Sequence, residues 1–171
     1  NEAVRFLAAY PGVTEVMVAD LNLKAAQALA QEVGGPTRAC PVNALDHQGL
    51  VETIRGYDVA LGFIGPFLYF ERRQAQAAID AGVHYVSIAD DYEAAREALA
   101  LDEAARAAGV AVLTGLGNCP GMTNLLAKKG AQTMDQPRRI HISWFGGADD
   151  ASGYANYRHA IHIFCDRVPS F

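Results

Sequence analysis

The stretch EVMVADLN, residues 15–22, has the pattern of a buried β-strand that ends on an acid and runs directly into a helix. A strand followed at once by a helix is the repeating element of parallel α/β sheets. Where such a strand ends in Asp, the carboxylate often binds the ribose of a dinucleotide, and a G-x-G-x-x-G turn is then required about 20 residues upstream. Gly12 is the only glycine before Glu15, so the chain contains no such turn before this strand.

Strand patterns alternate with helix patterns beyond this stretch. Apolar residues from Leu23 to Val33 recur at helical spacing until Gly34 and Gly35 stop the helix. Apolar strands separated by helices indicate a parallel sheet that is covered on both faces, so we predict an α/β fold with a doubly wound, Rossmann-type sheet. The further predicted strands are 37–42, 58–64, 84–90 and 110–115, and the further predicted helices are 46–56, 69–82, 95–109 and 121–134.

The N-terminal residues predict that the fold begins before the chain does. Residues 1–10, NEAVRFLAAY, have the pattern of the last turns of a helix, which Pro11 and Gly12 break. In a doubly wound fold the first strand and the glycine-rich turn precede the first helix. We therefore expect the chain to be an internal part of a longer protein, and we expect this part to lack both features. This part alone should be inactive and should bind NAD very weakly.

The pattern changes again from about Pro137. Residues 138–147, RRIHISWFGG, alternate like a half-exposed strand, and residues 152–171 read as a loop followed by a helix. We interpret this change as the start of a second domain. The prediction is a truncated NAD(P)-binding domain at residues 1–124 and the incomplete beginning of a mixed α/β substrate domain at residues 125–171.

The composition excludes several classes of protein. Of the 171 residues, 51% are hydrophobic and 19% are charged, and the net charge is −5. The chain can therefore bury a core, and it has no basic cluster of the kind that binds nucleic acid or an anionic membrane. No apolar run reaches the roughly 18 residues of a membrane span. The widely spaced Cys40, Cys119 and Cys165 include no CxxC pair, which indicates reduced cytoplasmic thiols and argues against a zinc site.

Five stretches form an ordered series of motifs: PGVTEVMVADLN (11–22), YDVALGFIGPF (57–67), AAIDAGVHYVSIADDYEAA (77–95), LDEAARAAGVAVLTGLGNCPGMTNLLA (101–127) and YRHAIHIFCDRVPSF (157–171). The series resembles the saccharopine dehydrogenase-like family of NAD(P)-dependent oxidoreductases, which includes saccharopine reductases, lysine 6-dehydrogenases and relatives that act on polyamines. The strand that runs into ADD and the turn GLGNCPGMTN are its most specific parts. The resemblance implies a Rossmann domain followed by a mixed α/β substrate domain.

The resemblance also implies a function. The full-length protein would be an enzyme that transfers a hydride to or from the nitrogen-bearing carbon of an amino-acid-like small molecule. We expect it to be a cytoplasmic homodimer with no nucleic-acid or membrane partner. Two alternatives stay open: an enoyl-type reductase of the same fold, and a non-catalytic dinucleotide-binding or assembly module that kept the fold and lost the site.

Asp20 is the first candidate for cofactor binding. Its two oxygens can accept both hydroxyls of an adenosine ribose, and its charge would repel a 2′-phosphate. Leu21 and Asn22 follow with no Arg, so NAD is favoured over NADP. The alternative is that Asp20 only opens the helix that begins at Leu23, because acids suit helix N-termini. The pattern leaves both roles open, and the family resemblance favours the cofactor.

The other cofactor candidates follow later strands. Asn43 stands where relatives often have an acid against the adenine, although Asn is also a common turn residue. Gly62 and Gly65 would let the backbone approach the ribose and diphosphate, unless they belong to an ordinary loop. Asn118 could orient the nicotinamide carboxamide. The full set of predicted cofactor residues is Asp20, Leu21, Asn43, Ala44, Gly62, Phe63, Ile64, Gly65 and Asn118.

The candidate catalytic groups are acids and histidines. Of Asp90 and Asp91, we expect one to cap the following helix and the other to face the nicotinamide cleft, because adjacent side chains usually point apart. His159 and His162 lie at i, i+3 on one helix face. His159 is the first candidate for the proton relay and Asp91 is the alternative, while a surface or core role stays open for each histidine.

Two further types of site are discounted. Metal ligation by His159 and His162 would need more ligands at suitable spacing, and the other histidines are scattered, so no metal site is predicted. Cys119 could be a nucleophile, but no base accompanies it in the sequence and hydride transfer needs none. We expect Cys119 to be a small buried thiol. Tyr154 and Tyr157 could line a substrate pocket or simply pack.

Overall fold

The computed structural model describes residues 2–143 and 153–165 of the chain. The chain divides into two compact units, Asn1–Thr53 and Ile54–Phe171. Each unit contains helices and a parallel β-sheet of its own. No helix in these described ranges has both the length and the apolar character that crossing a membrane requires.

The first unit is built on a two-stranded parallel sheet. Strand β1 (Val16–Asp20) pairs with β2 (Thr37–Pro41), and Asp20 lies opposite Pro41 at the end of the register. Because the strands are parallel, the residues that follow both of them lie at one edge of the sheet. The helices are α1 (Glu2–Ala9), α2 (Leu23–Val33) and α3 (His47–Ile54), which confirms the helix pattern predicted for the N-terminal residues.

The second unit is built on a three-stranded parallel sheet. Its order is β3 (Val59–Gly62), β4 (His84–Ser87) and β5 (Val112–Leu113), with Gly62 opposite Ser87. The carboxyl ends of the strands again lie at one edge, where ligands bind in open α/β sheets. The helices are α4 (Phe67–Ala81), α5 (Tyr92–Leu99), α6 (Asp102–Ala108), α7 (Met122–Ala131) and α8 (Tyr154–Cys165).

Helix α4 provides the centre of the core of the second unit. Its buried side chains recur at helical spacing, and Gly82 ends the helix in the left-handed conformation that glycine adopts readily. Tyr85 alternates with its neighbours along β4 and points to the same core. The core cluster consists of Ala75, Ala78, Ile79, Tyr85, Leu101 and Ala105.

The predicted helix at 95–109 is wrong in one respect, because it is two helices. Helix α5 ends at Leu99 and α6 begins at Asp102. Between them Leu101 turns into the core, where only 4% of its surface stays exposed. Asp102 and Glu103 then occupy the first turn of α6, where acids interact favourably with the helix dipole. Burial of one leucine therefore overrides a continuous helical pattern.

The predicted sheet differs from the observed arrangement in two places. The described strands form two parallel sheets instead of one, since none of them hydrogen-bonds to the second edge of β1 or of β3. Residues 138–143 are not in a strand, because no described segment pairs with them, and residues 144–147 of that pattern lie outside the described ranges. The predicted domain boundary at residue 124 stays a prediction.

Candidate functional site

Asp91 lies at the carboxyl edge of the three-stranded sheet, four residues after β4 ends at Ser87. It occupies the N-cap position of α5, but its side chain makes no capping hydrogen bond. Instead its Oδ2 accepts a hydrogen bond from the backbone N–H of Leu68 at 3.2 Å. Leu68 belongs to the first turn of α4, so the carboxyl is fixed by the N-terminus of a neighbouring helix. One of the two aspartates is expected to cap this helix, and the side chain at the N-cap position does not do so.

His159 of α8 brings both aspartates together. Its Nδ1 lies 2.9 Å from Oδ1 of Asp91, and its Nε2 lies 3.2 Å from Oδ2 of Asp90. The side chain of Asp91 is only 2% exposed and that of His159 is 26% exposed. The expectation that the two acids point apart is wrong, because one imidazole ring reaches both of them from opposite nitrogens.

The electrostatics of this cluster favour proton exchange. Burial raises the pKa of Asp90, the positive charge of His159 lowers it, and the adjacent Asp91 raises it again. The net effect is upward, so Asp90 holds a proton more readily than an ordinary aspartate. With the proton on Nδ1, the buried Asp91 carboxylate accepts from that nitrogen, and Nε2, which faces Asp90, is then the nitrogen that can gain or lose a proton.

Helix α8 is tied to this edge by two further polar contacts. His162 Nε2 lies 3.2 Å from Glu93 Oε2, and Arg158 donates from Nη2 to the Tyr69 hydroxyl at 2.9 Å. His159 and His162 thus share the face that their spacing predicts. Tyr157 is 62% exposed. The side chain of Tyr154, the other predicted pocket residue, lies outside the described ones.

A buried carboxyl lies beneath the same edge. Glu71 of α4 is fully buried, and its Oε2 accepts from the Tyr85 hydroxyl at 2.9 Å while its Oε1 accepts from the Ser87 hydroxyl at 2.6 Å. Ser87 Oγ also lies 3.2 Å from the Thr114 hydroxyl and 3.4 Å from the backbone N–H of Ala89. We call Glu71, Tyr85, Ser87 and Thr114 the Glu71 network.

The loop that carries the cofactor candidates Gly62 and Gly65 follows β3 at this edge. A Cβ at Gly62 would collide with the Tyr85 hydroxyl, so packing beneath the loop already demands a glycine here. Gln74 is 4% exposed and donates from Nε2 to the Ile64 carbonyl at 3.1 Å. The loop is therefore held from below, while Phe63 is 50% exposed. Gly65 is joined to Pro66 by a cis peptide bond, and Pro66 is the N-cap residue of α4.

The turn after β5 brings Asn118 to the surface. Asn118 is exposed, and its carbonyl accepts from the backbone N–H of Thr123 at 3.0 Å. Gly121 is the N-cap of α7, and Asn124 in the first turn accepts from the Gly121 N–H at 3.2 Å. The expectation of a buried Cys119 is wrong: the thiol is exposed, because the tight turn at residues 117–121 carries it outward.

In the first unit, Asp20 ends β1 with an exposed side chain. Its Oδ1 accepts from the backbone N–H of Asn22 at 2.8 Å. The N-cap of α2 is Asn22, whose Oδ1 accepts from the Ala25 N–H at 3.2 Å. The alternative role of Asp20 as the helix cap is therefore filled by Asn22. Leu21, between them, is 76% exposed.

Asn43 and Ala44 follow β2 at the same edge of the first unit as Asp20. The Val42 N–H donates to the Asp20 carbonyl at 3.1 Å, which joins the two strand ends. Asn43 Oδ1 accepts from the Leu45 N–H at 3.0 Å, so the side chain forms the local turn that is typical of Asn. Its Nδ2 group remains able to donate to a ligand.

Comparison with known proteins identifies the domain. Residues 1–113 match the family described as the saccharopine dehydrogenase NADP binding domain. The chain belongs to this family. This confirms the identification made from the motifs and establishes membership of the saccharopine dehydrogenase group of NAD(P)-dependent oxidoreductases.

A solved structure shows the same relationship. Apo, histidine-tagged saccharopine dehydrogenase (L-Glu forming) from Saccharomyces cerevisiae is similar to this saccharopine dehydrogenase-type domain, with a TM-score of 0.67 and 27% sequence identity. The match covers 77% of this chain and 28% of the yeast chain. The chain therefore corresponds to little more than a quarter of that relative.

The cluster of Asp90, Asp91 and His159 also has the composition of a cation site. Each residue offers one ligand atom, and these atoms all lie within 4.8 Å of one another. The sequence offers no further histidine at suitable spacing from His159, whereas the structure supplies two carboxylates from a segment that is distant in sequence. Both ring nitrogens already face carboxylate oxygens at hydrogen-bonding distance, which satisfies the cluster by proton sharing.

Sequence reasoning missed Glu71 and Gln74. A signal was present, because the buried positions Ala75, Ala78 and Ile79 define a stripe that continues backward along α4 to both residues. A charged residue on the core face of a helix needs a polar partner. Here the partners come from β4 and from the loop before α4, and sequence spacing cannot reveal them.

Proposed function

We propose that the full-length protein is an NAD(P)-dependent oxidoreductase that acts on a carbon–nitrogen bond of an amino-acid-like substrate. The observation that carries the proposal is the contact of His159 with Asp90 and Asp91 at the carboxyl edge of the sheet. In a saccharopine dehydrogenase-type domain this edge is where a dinucleotide is expected. The name of the yeast relative, saccharopine dehydrogenase, supports a substrate of this class.

Each unit, taken by itself, has residues at the carboxyl edge of its own sheet that suit part of a dinucleotide. Asp20 is exposed and uses Oδ1 for the Asn22 N–H, so its Oδ2 is available to a ribose hydroxyl. The Gly62–Gly65 loop presents backbone without bulky side chains at positions 62 and 65, and Gln74 holds that loop at Ile64. When bound, the nicotinamide supplies the hydride donor or acceptor, and the protein supplies orientation and exclusion of water.

His159 is proposed as the proton relay. Oxidation of an amine to an imine releases a proton from nitrogen, and the reverse reaction takes one up. Asp91 holds Nδ1–H and fixes the tautomer, so Nε2 faces Asp90 and is the atom that exchanges the proton. Asp90, with its raised pKa, can pass that proton between the ring and solvent. Asp91 is then an orienting group, and Asn118 remains a candidate for the carboxamide.

NAD is proposed as the preferred cofactor. The description of the matched family names NADP binding, but it characterises the domain family and does not say which cofactor this chain prefers. The exposed carboxylate of Asp20 would repel a 2′-phosphate, and neither Leu21 nor Asn22 supplies a positive charge to offset it. The proposed cofactor residues in the other turns, Asn43 and Ala44, lie at the same edge as Asp20.

The experiment is a reaction survey with the full-length protein. Oxidised NAD and NADP are each offered with amines of amino-acid type, and the reduced cofactors, deuterated at the hydride position, are each offered with imines and with enoyl compounds. Initial rates are measured from the change in reduced cofactor. Turnover of a carbon–nitrogen bond, with deuterium recovered on the nitrogen-bearing carbon, supports the proposal. Turnover of the enoyl compounds alone, with deuterium recovered on a former alkene carbon, identifies an enoyl-type reductase. Cofactor binding without turnover of either class identifies a non-catalytic module. A homodimer, also proposed, is tested by light scattering of the same sample.

A further inference from the structure

The Glu71 network connects the core of the second unit to residues 88–91, which carry Asp90 and Asp91 and which we call the catalytic loop. Tyr85 and Ser87 are two residues apart on β4, so their side chains lie on the same face of the strand and meet one carboxyl. Glu71 is fully buried, and Tyr85 and Ser87 are each 1% exposed. No cation accompanies this carboxyl among its described partners, so hydroxyl donors alone hold it. Burying a carboxyl in this way costs more free energy than burying an apolar side chain, and its hydrogen bonds offset part of that cost.

The connection runs toward Asp91 by two routes. Through Ser87, Glu71 is linked to the backbone N–H of Ala89, which begins the segment that carries Asp90 and Asp91. Through α4 itself, Glu71 lies one turn after Leu68, whose N–H donates to Asp91 Oδ2. The same helix therefore holds the catalytic loop at its base and at Asp91.

Neighbouring residues keep the network in one geometry. Burial, and after it the charge of Glu71, raises the pKa of Tyr85 well above its usual range. The hydroxyl therefore keeps its proton and remains a donor. Gly62 leaves the space that the Tyr85 hydroxyl occupies. Thr114, just after β5, contacts the Ser87 hydroxyl and joins a second strand end to the network.

We infer that Glu71 is a positioning residue for the proton relay, which sets the place of Asp90 and Asp91 relative to His159 by way of Ser87. The inference rests on the proposed function, in which these three residues exchange the proton. It assigns Glu71 no contact with substrate or cofactor. Its action is geometric, and small misplacements of reacting groups are known to cost large factors in rate.

The test uses Glu71→Gln and Ser87→Ala in the full-length protein. Gln keeps the shape of Glu but replaces one acceptor oxygen by a donor group, so one hydroxyl contact must reverse or break. We expect kcat to fall roughly 10-fold in both variants, with KM for the cofactor nearly unchanged. The ¹⁵N chemical shifts of the His159 ring should move as well, because its contact with Asp91 changes.

Ile79→Val is the matched control. Ile79 lies on the same helix, in the apolar core, and outside the network. It should lower the melting temperature and leave kcat within about twofold and the His159 shifts in place. The inference is overturned if Ile79→Val, at the same loss of melting temperature, lowers kcat as much as Glu71→Gln does. It is also overturned if Glu71→Gln leaves both kcat and the His159 shifts unchanged.

The two proposals fail separately. If the wild-type protein turns over no substrate with either nucleotide, the proposed function fails, and the His159 ring shifts alone then decide the inference. Movement of these shifts in Glu71→Gln and Ser87→Ala, but not in Ile79→Val, supports the positioning role. Shifts that stay in place in the first two variants overturn it.

Discussion

His159 and Asp91 are 68 residues apart in the sequence, and Nδ1 of the histidine lies 2.9 Å from Oδ1 of the aspartate. The aspartate side chain is almost fully buried, while about a quarter of the histidine side chain is exposed. One ring nitrogen thus faces a buried carboxyl and the other faces the less buried Asp90, an arrangement that can hold a general acid or base in position. The contact also joins α8 to the edge of the sheet where the strands end.

The first prediction concerns this pair. In the full-length protein, His159→Asn should lower kcat by about 10²-fold or more and remove one limb of the pH–rate profile, because the proposed proton relay is lost. Cofactor binding should persist. Asp91→Asn should lower kcat less, since it removes the orienting acceptor and keeps the ring. Rates measured across pH for both variants check this. Normal rate and pH dependence in His159→Asn with a changed profile in Asp91→Asn would transfer the relay to the acid.

Asp20 provides the second prediction, on cofactor preference. Asp20→Asn should shift the ratio of kcat/KM values toward NADP, because the charge that repels the 2′-phosphate is removed. The amide oxygen can still accept from the Asn22 N–H, so the local turn is retained. Asp20→Ser should shift the ratio in the same direction.

Asn22→Ala is the control for the second prediction. It removes the side-chain cap of α2, at a cost of about 1 kcal/mol, and leaves the charge of Asp20 in place. Its cofactor ratio should match that of the wild type. A ratio that stays constant in both Asp20 variants would show that Asp20 does not discriminate between the nucleotides.

The third prediction concerns packing at Gly62. Gly62→Ala should destabilise the protein by about 1–3 kcal/mol, because the new methyl group collides with the buried Tyr85 hydroxyl. Gly130→Ala is the matched control, since its Cβ would meet nothing within 4 Å and it lies inside α7. That change should be neutral or slightly stabilising. Urea denaturation of both variants tests the contrast, and equal stabilities would refute it.

The fourth prediction follows from the raised pKa of Asp90. The folded state binds this proton more tightly than the unfolded chain, whose carboxyl has the ordinary value of 3.8. Its contribution to stability is therefore complete below that value and is lost as the pH rises through the higher folded value. The melting temperature of Asp90→Asn relative to wild type should thus increase as the pH rises from the ordinary value of 3.8 through the higher folded value.

His159 sets the size of this fourth effect. The positive charge of His159 lowers the pKa of Asp90, so in a His159→Asn background the pKa of Asp90 rises further and the pH window extends upward. Melting curves of the single and double variants at several pH values measure both effects. A difference that decreases with pH would contradict the assignment of burial as the main cause.

Local sequence determined most of the helices and strands. The acid-ended strand β1, the helix that follows it and the glycine ends of α2 and α4 all follow from spacing and from glycine's backbone freedom, which act over a few residues. The family also followed from motifs, and residues 1–113 confirm it. His159 and His162 were placed on one face by their spacing alone.

Tertiary packing decided what the local pattern could not. The break between α5 and α6 depends on where Leu101 finds a core, and the exposure of Cys119 depends on a turn closed by its neighbours. The convergence of Asp90 and Asp91 on His159, and of Tyr85 and Ser87 on Glu71, joins segments far apart along the chain. Spacing fixes which residues share one face of one element. Contacts between elements depend on how buried surfaces fit together, and that information is spread over the whole chain.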